Sequence, residues 1–464
     1  MRLSARRCLQ AAVILLSLMC LTDLCLAQES AVYSLPSIID YALKNNPRIR
    51  IFQKEIETEA IGIDAAKAER MPRIDFGTGA TKYRYPMPLT PIVISSTYGI
   101  EIPDFEKTIY DAGLVFRLPL FKGGRLMRGV RAAEMKQAMA RENYALSKQD
   151  LIYNLTSVYY KIAQLKRLHD ANVASVKQLE SHRRDVEHFL QAGTVPKLDL
   201  LKVNVELSHA RERRLVVANN AESVHELLKT LMGIEDTGKQ IGVEPGEDPG
   251  DKEDIVPSLE EALSAALSRR PDYRAILKKK ELFEERVKIA RGRRLPDVFL
   301  AGNYSGNAGN NFAFKENWSL GVRLVVPVLD GGLIKAEIDR ERMELEKVKE
   351  EERLVRLSIN REVKDALLGM ANAKERIAVT EAAIESARES LRVELVKYTT
   401  GSGTSTDVVD AQTVLLRTQT DYYQALYDRQ ISLASLRKAA GEDGCGNGTN
   451  DKMLRSNAER GGAQ

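Results

Sequence analysis

The feature that most constrains this chain is an internal duplication whose glycines and prolines fall in register. Two short stretches, Gly193-Thr194-Val195-Pro196-Lys197-Leu198-Asp199 and Gly401-Ser402-Gly403-Thr404-Ser405-Thr406-Asp407, lie 208 residues apart. Each interrupts a very long helical pattern that then resumes. A Gly followed by Thr or Ser and then Pro or Gly stops one helix, makes a tight turn and caps the next. Each stretch is therefore expected to be the tip of a helical hairpin. The same offset relates Pro119 and Gly123-Gly124 to Pro327 and Gly331-Gly332, and Gly233 to Gly441. Nearer the N-terminus the offset is 224, pairing Leu35, Pro47, Arg70 and Pro72 with Leu259, Pro271, Arg294 and Pro296. The 16-residue difference falls between about 86 and 109, so the first half carries a longer loop there. Two equivalent units in one chain make a pseudo-symmetric object.

Each unit reads the same way: a helix (36–70; 259–294), a strand (74–85; 297–306), a loop, and a second strand (110–119; 317–326). A Pro and a Gly-Gly corner then lead into a very long helix (125–192; 333–399), a tip, and a return helix (198–232; 405–439). The domain reading is a leader over 1–27, a first repeat over 28–234, a connector over 235–257, a second repeat over 258–441 and a disordered tail over 442–464. In the long helix Leu151, Leu155, Val158, Ile162, Leu165 and Leu168 step by threes and fours, the spacing of a coiled-coil seam. A helix over 125–192 would be about 100 Å long, and the return helix covers half of it. The helix over 36–70 has the length to cover the rest, which predicts a column of stacked helices.

The strands pose a different problem. Leu114, Phe116 and Leu118 alternate with Gly113, Val115 and Arg117, and Trp318, Leu320, Val322 and Leu324 alternate with Ser319, Gly321 and Arg323. One face is apolar and one mixed, at the length a tilted strand needs to cross a bilayer. Tyr83, Tyr85, Tyr110 and Trp318 at strand ends suit an interfacial girdle. The alternative is a small soluble sheet covered by helices. Four strands cannot close a membrane barrel, whose smallest form has about eight. If these strands span a membrane, several copies of the chain must pool them under closed symmetry.

Arg2, Arg6 and Arg7 followed by the apolar run Leu9–Leu21 and Cys25-Leu26-Ala27 read as a secretory signal peptide cleaved after Ala27. Leu24 before Cys25 and Met19 before Cys20 argue against lipidation. Cleavage would leave Cys445 as the single cysteine, so no internal disulfide is expected. With 69 Lys+Arg and 65 Asp+Glu in the whole chain, charge is nearly balanced, which argues against a nucleic-acid binder. After the leader no apolar run is long enough for a transmembrane helix. There is no phosphate loop, nucleophile elbow or CxxC, and no cofactor is implied. His169, His182, His188, His209 and His225 all sit in helical pattern and are expected at the surface. The Glu- and Lys-rich run 341–353 is expected to be a solvated helix face.

These features resemble the TolC-like outer-membrane efflux factors. The resemblance is carried by the duplicated order, the Arg-Met-Pro and Arg-Leu-Pro entries to the strands, and Leu-Pro-Leu-Phe-Lys-Gly-Gly (118–124) with Val-Pro-Val-Leu-Asp-Gly-Gly (326–332). Gly-Ser-Gly-Thr-Ser-Thr-Asp-Val-Val-Asp-Ala (401–411) is its most specific piece. It implies a mostly α fold with a small β part: a homotrimer with a shared 12-stranded outer-membrane barrel and a long periplasmic α-helical barrel. It further implies a periplasmic adaptor and an inner-membrane pump as partners. Asp407 and Asp410 match the acidic pair that rings the periplasmic entrance, and Tyr398 and Asp199 match positions that hold that entrance closed. Gly403 stands where the family's best-known member has an arginine. Ala192, Gly193, Thr194, Thr400, Gly401 and Ser402 match the tips gripped by adaptor hairpins, while Pro119, Gly123, Gly124, Pro327, Gly331 and Gly332 form the barrel-to-helix corners. Independently of the resemblance, Asp407 at a helix start reads equally as an ordinary cap. Asp410, three residues on, shares its helical face, so three copies would converge six carboxylates on one constriction, favour cations and raise their own pKa values by repulsion.

The expected function is a passive, non-enzymatic exit duct of a tripartite efflux or type I secretion system. A periplasmic coiled-coil scaffold with no channel activity is the other reading.

Overall fold

The computed structural model of the chain describes residues 31–95, 99–235, 241–244 and 256–442. The leader and nearly all of the expected tail lie outside the described residues, as does most of the connector. Elements follow in the order β1 (Ala31–Tyr33), α1 (Leu35–Asn45), α2 (Pro47–Ala68), β2 (Arg73–Pro88), β3 (Val93–Ser95), β4 (Gly99–Glu101), β5 (Phe105–Lys122), α3 (Arg125–Gln191) and α4 (Lys197–Met232). Then come β6 (Ile241–Val243), α5 (Leu259–Arg269), α6 (Pro271–Gly292), β7 (Asp297–Ala308), β8 (Lys315–Val325), α7 (Leu333–Thr399) and α8 (Ser405–Ala439). The run α1-α2-β2-β5-α3-α4 is repeated as α5-α6-β7-β8-α7-α8, and α3 and α7 are each 67 residues long. The longer loop of the first half carries the β3–β4 hairpin.

The helices expected over 36–70 and 259–294 are each two helices. Proline crowds the residue before it out of helical geometry, and Asn46 and Arg270 accordingly turn extended, with ψ 125° and 127°. Asn46 uses the break. Its Oδ1 accepts from the Arg48 and Ile49 amides at 2.8 and 3.4 Å, capping α2, and its Nδ2 donates to the Leu231 carbonyl at 2.7 Å.

Packing divides the chain into two units, to both of which α3 and α7 contribute. One comprises the described residues up to Arg50, Ser147–Ala266 and those from Asn360 onward. Its core is built from helical stripes spaced by threes, fours and sevens: Val176, Leu179 and Val186 of α3, Val203, Leu207 and Ala210 of α4, Leu391 and Tyr398 of α7, Val408, Ala411 and Leu415 of α8. Leu179, Val186, Val203 and Val408 are fully buried, each worth about 1.5–3 kcal/mol. In the same unit β1 pairs in parallel with β6, Ala31 opposite Ile241, and the Tyr159 hydroxyl donates to the Glu244 carbonyl at 2.9 Å beside that pair.

The other unit, Ile51–Leu146 with Leu267–Ile359, contains an antiparallel sheet in the order β2-β5-β7-β8. Register puts Ile74 opposite Phe116, Phe76 opposite Leu114, Leu114 opposite Tyr304, and Tyr304 opposite Trp318. Directly opposed residues share a face, so the apolar residues of all four strands lie together. That face is bare: Phe76, Trp318, Leu320 and Val322 are 69%, 71%, 65% and 67% exposed. Below the sheet α6 is bound to α7 by Lys280–Glu352 at 2.9 Å and, from the residue that caps its C-terminus, by Arg293–Glu337 at 2.9 Å, and to α3 by Arg128–Glu285 at 3.0 Å. The 341–353 run is thus not wholly solvated, because Glu351 and Glu352 turn inward to meet α6 lysines and Glu352 is buried.

At the corners, the ladder slips between Pro119 and Phe121, where proline has no N–H to give. Gly123 and Gly124 then turn with φ 57° and 72°, as do Gly331 and Gly332 with φ 66° and 91°. In the second corner Asp330, after Pro327, accepts from the Gly332 and Ile334 amides at 3.0 and 2.8 Å and caps α7. A Cβ on Gly123 would drive into the Gly292 carbonyl, whereas one on Gly124 meets open space. Both sites demand a left-handed backbone, which costs a non-glycine residue about 1–3 kcal/mol. Gly123→Ala is therefore expected to lower the thermal midpoint followed by circular dichroism clearly more than Gly124→Ala; equal losses would mean that the Gly292 contact adds nothing.

Candidate functional site

The sequence concentrates its candidate residues at the two hairpin tips, where both turns have the same geometry. Gly193 and Gly401 take φ 73° and 78°. In the first tip the Thr194 amide bonds the Phe189 carbonyl and the Gly193 amide the Leu190 carbonyl, each at 3.0 Å; in the second Ser402 bonds Lys397 at 2.9 Å and Gly401 bonds Tyr398 at 3.1 Å. This paired closure satisfies the last carbonyls of α3 and α7 and requires the left-handed residue that glycine supplies. Ala192, Gly193, Thr194, Thr400, Gly401 and Ser402 are all exposed. The second turn is tight. A Cβ on Gly403 would sit 2.9 Å from the Lys397 Cβ, so a larger residue would need that turn to shift.

The return helices start differently. Pro196 precedes α4 without a side-chain cap. Before α8 the Thr404 Oγ1 accepts from the Asp407 amide at 3.2 Å, and the Asp407 carboxylate accepts from the Thr404 amide at 3.1 Å and hydroxyl at 2.7 Å. This reciprocal pair is a capping box. The Thr404 hydroxyl and amide, with Lys397 nearby, hold the Asp407 carboxyl below the usual carboxylate range. Asp407 and Asp410 are both exposed and three residues apart on α8. The Lys202 ammonium donates to the Thr406 hydroxyl at 3.1 Å, fastening α4 to the start of α8.

Behind the tips lies a polar centre that the sequence reading missed. His182 is not at the surface but 3% exposed. It continues the buried stripe of Val176, Leu179 and Val186, and that spacing was the signal available for finding it. Its Nε2 lies 2.9 Å from the Ser405 Oγ at the first residue of α8. Its ring meets the Tyr398 ring edge-on at 4.9 Å, and Phe189 packs on Tyr398 at 5.7 Å. The His182 Nδ1 and Tyr398 hydroxyl are buried without a hydrogen-bond partner among the described residues. Burial pushes the His182 pKa down against the opposing charges of Asp185 and Asp199. Burial also raises that of Tyr398, reinforced by Asp199 and Asp185. Asp199 thus lies within electrostatic reach of Tyr398, although Tyr398 makes no hydrogen bond to it within this chain.

A duplicated pair of long helical hairpins joined to a four-stranded sheet with a bare apolar face defines a class of membrane channel protein. The chain belongs to the outer membrane efflux protein family, whose profile matches residues 38–234 and 262–442. It is 24% identical over 422 residues to outer membrane protein OprJ of Pseudomonas aeruginosa, covering 87% of this chain and 83% of that one. It is likewise 24% identical over 441 residues to the outer membrane efflux protein BepC of Brucella suis, covering 93% and 90%. Its fold matches the crystal structure of the Campylobacter jejuni CmeC outer membrane channel with a TM-score of 0.77 at 17% identity, covering 92% and 89%.

Because the fold holds His182 neutral while the unfolded chain takes up a proton, stability is expected to fall as pH drops below the ordinary imidazole value of 6.5. Urea melts of wild type and His182→Leu at stepped pH test this. The loss belongs to wild type alone, and parallel curves would place it elsewhere. Thr404→Ala removes the capping hydroxyl and is expected to cost about 1 kcal/mol in the same melts.

Proposed function

We propose that this chain forms the outer-membrane exit duct of a tripartite efflux system, as a trimer that pools twelve strands into one barrel. The observation that carries the reading is the exposed apolar face of β2-β5-β7-β8, with Phe76, Trp318, Leu320 and Val322 all open. In water such a face is unfavourable by about 25 cal/mol for each Å². In lipid it is at home, provided the two sheet edges are paired. Three copies related by a closed three-fold axis supply that pairing and leave no edge.

In this reading the duct does no chemistry. An inner-membrane pump drives the cargo, and a periplasmic adaptor engages the exposed tips around Ala192, Gly193, Thr194, Thr400, Gly401 and Ser402. Asp407 and Asp410 from three chains ring the entrance. Tyr398 and Asp199 form the closing contacts between neighbouring coils, and the buried His182–Ser405 contact sets the position of α8 within each chain. Type I secretion would use the same duct with a different pump.

The test is conductance of the detergent-purified protein in a planar bilayer, with a trivalent cation added on the helical-tip side. Discrete channels blocked by the cation are expected. Asp407→Ala with Asp410→Ala should abolish block, while Thr404→Ala, which loses the cap but keeps both carboxylates, should retain it. No channels from a well-folded sample would overturn the duct in favour of the scaffold.

A further inference from the structure

The apolar face of the sheet has an occupant in the proposed duct; the charge on its opposite face does not. On that face Arg73 of β2 stands directly across from Arg117 of β5. The same row continues through Ala301 of β7 and Gly321 of β8. Arg323, two residues along β8 toward α7, pairs with Phe299 and shares the face. Across the part of the face spanning 73–77, 113–117, 299–305 and 317–323, the charged residues are three arginines and one acid, Asp75; the next β7 residue on that face toward the helices, Asp297, is paired with Arg125. Asp75 accepts from the Arg73 Nε at 2.8 Å. Among the described residues Arg117 and Arg323 have neither a hydrogen bond nor an ion pair, and both are exposed.

Two observations point beyond a solvated charged surface. Like charges directly opposed on adjacent strands destabilise a sheet, so the Arg73–Arg117 pair is unfavourable unless an anion lies between or above it. The rest of that row is nearly empty: Ala301 has a single methyl, and a Cβ on Gly321 would meet nothing within 4 Å. The guanidinium groups therefore border an open floor, with strands about 4.8 Å apart. When the sheet curves into a barrel with this face inward, the side chains converge. Guanidinium forks match carboxylate and phosphate oxygens in pairs, a geometry that an ammonium lacks.

We propose that Arg73, Arg117 and Arg323 of three chains form an anion-binding ring inside the barrel at its helix-joined end, which takes multivalent oxyanions. This rests on the duct reading and deepens it: carboxylate- or phosphate-bearing solutes are the cargo class the barrel favours. Each chain contributes two more positive than negative charges to the ring, because Asp75 offsets one arginine. Its sign is opposite to that of the proposed acidic entrance, so the duct would present two charge filters in series.

The experiment uses single channels of the full-length protein in a potassium chloride gradient, with tripolyphosphate added to the barrel side. Wild type is expected to show voltage-dependent block. In R73Q/R117Q/R323Q the half-blocking concentration should rise about tenfold or more, and the reversal potential should move toward cation selectivity. The corresponding triple lysine variant should keep the wild-type reversal potential and block less tightly. R323Q alone, on an edge strand and free of the Arg73–Arg117 pair, should weaken block by about threefold and serves where the triple variant assembles poorly. Channels whose block and reversal potential are the same in wild type and glutamine variants would overturn the ring and leave the duct standing. No channels from wild type would overturn both.

Discussion

A four-stranded antiparallel sheet with one apolar face has two free edges, and here β2 and β8 are those edges. Unpaired N–H and C=O groups are tolerable in water and prohibitive in hydrocarbon, while the exposed Trp318, Leu320 and Val322 are the reverse. No single environment suits this sheet as one chain presents it. In the proposed duct, assembly of several copies meets both demands at once. Along α7, Leu354, Leu357 and Leu368 are also open. The two halves of the chain have answered local problems separately. Asn46 caps the break before Pro47 through its own side chain, whereas Arg270 at the equivalent break pairs with Asp272. Asp330 caps α7 at a corner where the first half has Lys122, whose carbonyl instead accepts from Arg125. Symmetry is thus kept in the backbone and relaxed in the side chains.

Much of the architecture was legible because glycine and proline act locally. Gly193, Gly401, Gly233 and Gly441 each end a helix through a positive φ that their neighbours cannot adopt, so their registration revealed both hairpins and the duplication. Strand alternation likewise identified Leu114, Phe116, Trp318 and Leu320 as one class of position. What escaped was whatever depended on pairing at a distance. The stripe of Val176, Leu179 and Val186 marks His182 as buried, but nothing local names its partner Ser405, 223 residues on. Glu351 and Glu352 look like members of a solvated run until α6 brings Lys279 and Lys280. The opposition of Arg73 and Arg117 follows only from register. Pro47 and Pro271 split what the apolar pattern running through them presents as one continuous helix, because each forces the residue before it extended.

The tip of the second hairpin combines rigidity with a reserve of unsatisfied polarity. The capping box fixes the first turn of α8, and Lys202 and Gln412 bind it to α4 and α3. Yet among the described residues the His182 Nδ1 and the Tyr398 hydroxyl have no hydrogen-bond partner in the same core, a condition proteins rarely tolerate without reason. Tyr398 lies on the hairpin that bears Asp407 and His182 on α3 packed against it, so a shift of one hairpin past the other has two buried polar atoms to satisfy.

The small parallel pair of β1 with β6 has a consequence for how the chain reaches its final state. Ala31 and Ile241 are partners across more than two hundred residues. A protein exported N-terminus first delivers Ala31 long before Ile241 arrives, so this strand must wait while two long helices and half the sheet are made. Contacts of such sequence separation form slowly because loop closure precedes any reward. The pair, with Tyr159 fastened beside it, is thus a late lock. It closes only once the first repeat has been delivered, and it ties Ala31–Tyr33, ahead of that repeat, to Ile241–Val243 beyond it.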